Sequence, residues 1–143
     1  MARTGGKEDC EINMPKILIV DDEYSIRTLF QYMFKDAGYE VVTAKNGKDA
    51  LEKINDFTPD IMLVDIAMPE MDGTTFILGL KKLAVTRGEL AAIPFLVLTG
   101  ENYMKVGAHY AFQNNPSCRS FLPKMTPPET VLGLAGKILG LPK

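Results

Sequence analysis

Three acids in a row, Asp21, Asp22 and Glu23, close the apolar run that begins at Ile17. Adjacent carboxylates repel one another, so the arrangement is unfavourable unless a cation relieves it. A second apolar run, "IMLVD", ends in Asp65; a third, "IPFLVLTG", carries Thr99 near its end; and "FLPK" ends in Lys124. Carboxylates suit a hard cation that takes oxygen ligands, and a hydroxyl and an ammonium suit an anion. Whether they meet depends on the elements that carry them.

The apolar runs at 16–21 and 61–65 have strand length and read as strands of a sheet buried on both faces, and 40–44 and 93–100 read as two further strands. A fifth strand is expected to end at 121–124. Between the first two runs, Ile26, Leu29, Phe30, Met33, Phe34 and Ala37 fall at helical spacing, and Gly38 stops the helix. Asn46 is placed to cap a second helix facing inward through Ala50, Leu51 and Ile54, and a third helix is expected over Thr74 to Leu83. "TPPE" predicts a last helix with Thr126 as cap, Pro127 at its first position and Glu129 closing a capping box. Residues 84–92 make a longer connection than the alternation needs, and a fourth helix is expected within about 102–113.

At 143 residues, 46% hydrophobic and 24% charged with a net charge of −2, the chain is expected to be one ordinary domain without the basic field of a nonspecific DNA binder. No apolar run approaches the roughly 20 residues of a membrane span, and the polar start lacks a signal-peptide core, which predicts a cytoplasmic protein. Residues 1–14 read as a flexible leader and 15–143 as the domain. Cys10 and Cys118 are read as reduced thiols, His109 as a surface or packing residue, and Met68 and Met71 as gap fillers.

Strand and helix in alternation predict a three-layer, doubly wound α/β fold with a parallel sheet covered on both faces, and its five strands are taken in the flavodoxin-like order 2-1-3-4-5. In that order strands one, three, four and five are neighbours. Asp21, Asp22, Asp65, Thr99 and Lys124 then gather around one crevice at the carboxyl edge, where such sheets bind ligands.

The motifs "ILIVDDE", "IMLVDIAMPEMDG", "FLVLTG" and "SFLPK", in this order and at this spacing, resemble the receiver domain of two-component response regulators, the single-domain chemotaxis type in particular, from about Lys16 to Leu141. The resemblance implies Mg2+ held by Asp22, Asp65 and the backbone carbonyl of Ala67, with Asp21 acting largely through water. It implies Asp65 as the acceptor of a phosphoryl group from a phosphohistidine, with Thr99 and Lys124 on the phosphoryl oxygens and Phe121 as the aromatic that reports the state. The implied partners are a sensor histidine kinase or phosphotransfer protein and a downstream protein target. No DNA-binding effector is expected after Pro142 and no membrane contact. The chain is thus expected to be a signalling switch and not an enzyme on external substrates.

Two departures from the family pattern stand out. Met125 follows Lys124 where the family usually has Pro, with Pro123 before it, and the stretch from Thr99 to Lys124 is a few residues long. They motivate a rival reading, a docking module that keeps the fold without switching. A metal-dependent phosphatase fits less well, because "DIA" after Asp65 lacks the second acid of an Asp-x-Asp pair.

Overall fold

Apolar residues on both sides of each central strand leave no solvent face, and the chain covers them with helices. The structure, a computed structural model, describes residues 14–65, 73–99, 117–123 and 125–141, with the backbone alone at 73–75, 91, 99 and 121. In chain order these form β1 (Lys16–Val20), α1 (Tyr24–Asp36), β2 (Glu40–Ala44), α2 (Gly47–Ile54), β3 (Ile61–Asp65), α3 (Gly73–Leu83), a 3-10 helix (Gly88–Ala92), β4 (Phe95–Thr99), β5 (Cys118–Pro123) and α4 (Pro128–Leu139). The sheet is five-stranded in the order β2-β1-β3-β4-β5, and all of its pairings are parallel. This is the flavodoxin-like order that was expected.

Successive strand residues point to opposite faces and so divide the core in two. Leu18, Val20, Met62, Val64, Phe95 and Val97 pack with Ala50 and Ile54 of α2 and with Phe76, Ile77 and Leu80 of α3. Ile17, Ile19, Ile61, Leu63, Leu96 and Leu98 pack with Phe30 and Phe34 of α1 and with Val131 and Ala135 of α4. Each fully buried side chain of this size stabilises the fold by about 1.5–3 kcal/mol. The sheet edge that carries the polar residues is therefore rigidly backed.

Local signals explain several boundaries. Gly38 takes φ 96° just after α1, a conformation that side chains resist. Asn46 caps α2, its side chain accepting a hydrogen bond from the amide of Asp49 at 2.7 Å. At α4 the expectation is corrected by one residue. Pro127 stands at the cap with ψ 138° and no side-chain cap bond, and Pro128 opens the helix. The second proline forbids the helical region to the first. Leu29, assigned to the apolar stripe of α1, is 43% exposed, and Ala37 is exposed beyond the helix end.

The long connection before β4 has a packing role. Its 3-10 helix inserts Leu90, with Ile93 just after it, into the core. Arg87 ties it to the last residue of α2 and to the segment after it, donating from Nη1 to the carbonyl of Ile54 at 2.9 Å and from Nη2 to Thr58 Oγ1 at 2.8 Å. The helix expected over about 102–113, His109, Ala67, Met68, Met71, Lys124 and Cys10 lie outside the described residues.

Candidate functional site

In the parallel ladder of β1 and β3, Val20 pairs with Val64. The residues that follow, Asp21 and Asp65, are thereby set side by side at the carboxyl edge where strand order reverses. Both are buried, each 1% exposed, whereas Asp22 is exposed. One carboxylate oxygen from each of the three lies within 4.8 Å of the others. Like charges this close repel one another, most strongly between the two buried members, Asp21 and Asp65, which water screens least. Glu23 is not in the cluster. It holds the N-cap position of α1 in extended backbone (φ −88°, ψ 117°), with no side-chain cap bond.

The turn between β1 and α1 is fastened at successive points. The amide of Asp21 donates to the carbonyl of Ala44 at 3.1 Å, which ties the turn to the end of β2. The carboxylate of Asp21 accepts from the amide of Glu23 at 2.9 Å. Its carbonyl accepts from Arg27 Nη1 at 2.7 Å. Arg27 was not singled out by the sequence, where only its position one turn into the helix after the acids hints at such a reach.

On the other side, Asp65 is paired with Leu98 in the β3–β4 ladder, and Thr99, next along β4, is paired with Pro123. The backbone thus carries Thr99 to the same edge as Asp65. Phe121 pairs with Val97 within the sheet.

Three carboxylates offer a donor set of oxygen alone, the set a hard divalent cation takes. Mg2+ binds oxygens at about 2.1 Å, which places neighbouring ligands about 3 Å apart and opposite ones about 4.2 Å apart. A cluster within 4.8 Å fits that shell after small side-chain movements. Exposed Asp22 is the member with freedom to make them.

Cys118, at the start of β5, is a free thiol. Burial pushes it up to about 11, partly offset by a backbone hydrogen bond at Ser120. It is therefore protonated at neutral pH, as the reading of a plain reduced cysteine expects. No helix among the described residues is long and apolar enough to cross a membrane.

A parallel sheet in the order 2-1-3-4-5, with an acid cluster at its switch point, defines a doubly wound α/β protein of the flavodoxin-like class. Within that class the chain belongs to the response regulator receiver domain family, which residues 17–132 match. It is similar to the chemotaxis protein CheY of Listeria monocytogenes serovar 1/2a, 49% identical over 61 residues that make up 42% of this chain and 51% of that protein. It also resembles the CheY-like receiver domain protein of Methanospirillum hungatei JF-1, with a TM-score of 0.76 and 26% identity over 90% of this chain and 95% of that one. The response regulator TrrA of Thermotoga maritima, solved in complex with Mg2+-BeF, has a TM-score of 0.68 and 25% identity over 87% of this chain and 99% of that one. The chain spans 34% and 51% of the length of the first curated relatives it matches. It is a receiver domain of the kind used in two-component signalling.

Proposed function

We propose that the chain is a phosphorylation-activated switch whose acceptor is Asp65. The observation that carries this reading is the convergence of Asp21, Asp22 and Asp65 within 4.8 Å at the carboxyl edge of the sheet. Asp22 and Asp65 would hold Mg2+ together with the carbonyl of Ala67, and Asp21 would act mainly through water, as the family resemblance implies. When bound, the ion supplies charge neutralisation for the acceptor and for the phosphoryl oxygens. The Mg2+ in the complex of TrrA supports this choice of metal.

In the proposed step a carboxylate oxygen of Asp65 attacks the phosphorus of a donor phosphohistidine. The new O–P bond forms as the P–N bond breaks, and the imidazole leaves with its electron pair and takes up a proton. Such transfers depend on positioning and charge more than on covalent help. The Lys124 ammonium and the Thr99 hydroxyl are assigned to the transferred oxygens. Movement at Thr99 and Phe121 is assigned to passing the state on. The domain is taken as 15–143 after a leader of 1–14. The proposed setting is cytoplasmic, with a sensor histidine kinase or phosphotransfer protein as donor and another protein as target. The only chemistry assigned is the domain's own phosphorylation and dephosphorylation, with no DNA or membrane contact by this chain.

Mass spectrometry after incubation with Mg2+ and acetyl phosphate tests the reading. The expected result is a gain of one phosphoryl group, which does not occur when EDTA is present from the start and is absent in Asp65→Asn. No gain with acetyl phosphate or a histidine-kinase donor would leave the non-switching docking module.

A further inference from the structure

We infer that Arg27 is a positioning residue for the metal ligand Asp22, an assignment that rests on the reading of the acidic cluster as a Mg2+ site. Asp22 lies between two peptide planes, and each is held from outside. The plane it shares with Asp21 is held through the Asp21 carbonyl, which accepts from Arg27 Nη1 at 2.7 Å. The plane it shares with Glu23 is held through the Glu23 amide, which donates to the Asp21 carboxylate at 2.9 Å. With both planes held, the direction of the Asp22 Cα–Cβ bond follows from them.

This matters because Asp22 is the exposed member of the three and lacks the packing that surrounds Asp21 and Asp65. Arg27 can do the work because it is anchored itself. Its amide donates to the Glu23 carbonyl at 3.0 Å within the first turn of α1, and its guanidinium lies 5.8 Å from the centre of the Tyr24 ring. The helix therefore reaches back from Arg27 to Asp21 and holds the turn that carries the ligand. An ion arriving at such a site finds the Asp22 backbone already placed, with only the side-chain torsions left to settle, and loses less affinity to ordering the turn.

Position and charge give opposite signs, which makes the inference testable. A cation near the cluster, acting by charge alone, weakens Mg2+ binding, so its removal would tighten it. Loss of a positioning contact weakens binding, typically by about 10–100-fold for groups that orient metal ligands. Isothermal titration of the full chain with MgCl2, alongside thermal melts in EDTA, separates the cases. Arg27→Met, which keeps the apolar stem, is expected to raise the Mg2+ Kd by about tenfold while the melt in EDTA stays cooperative. Arg27→Lys, with a donor on a shorter stem, is expected to fall between, about threefold weaker than wild type. Wild-type or tighter affinity in Arg27→Met overturns the inference. If that variant does not fold, unchanged affinity in Arg27→Lys overturns it. Failure of the wild-type chain to take up Mg2+ would instead remove the metal reading, and this inference with it.

Discussion

Asp21 and Asp22 are neighbours in sequence and opposites in setting, one buried and bonded to its own turn, the other exposed at the rim. The acids were legible in the sequence because each ends an apolar run, and parallel pairing brings the ends of neighbouring runs together. Arg27 was not, because its contact depends on the helix turning its side chain back to a backbone carbonyl, which composition does not reveal. Cys118 supplies a pH prediction at the same scale. Burial raises its pKa to about 11, so the neutral thiol is the form the fold favours. That contribution to stability is fully present below the unfolded value of about 8.5–9 and is lost as pH rises through about 11. In a Cys10→Ser chain, the rate of disulfide exchange with a chromogenic aromatic disulfide should keep climbing up to about pH 11. Levelling near pH 8.5–9, where an open thiol reaches its limit, would contradict it.

The elements were legible where one signal dominated and obscure where two competed. Four strands and their helices followed from apolar runs and caps, with ends misplaced by a residue or two. Of β5 only the end was legible, at 121–124; the strand begins at Cys118, where Arg119 and Ser120 do not read as buried strand. Among the described residues it is the last strand of the sheet and pairs with β4 alone, and the register shifts as Phe95 meets Cys118 and Leu96 meets Ser120, which leaves Arg119 as an extra residue. The glycines of α4 carry an element-scale prediction. At Gly133 and Gly136 an added methyl would meet nothing within 4 Å, and neither has positive φ, whereas Gly140 ends the helix at φ 71°. Gly133→Ala and Gly136→Ala should each stabilise the fold by about 0.5–1 kcal/mol through helix propensity. Gly140→Ala should destabilise it by about 1–2 kcal/mol, since left-handed backbone strains a side chain. Urea unfolding midpoints check all three, and a shared sign across them would show that the cap conformation does not decide.

For the whole molecule, two apolar cores hold a sheet whose carboxyl edge gathers like charge, so stability and metal binding should be coupled through that edge. The sheet makes the cluster possible because its strands are fixed by packing that the carboxylates do not disturb. Repulsion among the three acids then opposes folding without a cation, and any ion that binds the folded cluster alone stabilises the fold by mass action. At a free Mg2+ concentration 100 times Kd the gain is about 2.7 kcal/mol. For a chain near this size, at about 3 °C per kcal/mol, the melting temperature should rise by roughly 8 °C. Asp22→Asn removes one charge from the cluster and one ligand from the ion. Its melt in EDTA should therefore be at least as high as that of the wild type, while most of the Mg2+-dependent rise disappears. Calorimetric melts in MgCl2 and in NaCl of matched ionic strength check this. An equal rise in both salts would trace the effect to general screening, and a full Mg2+-specific rise in Asp22→Asn would separate that residue from the ion.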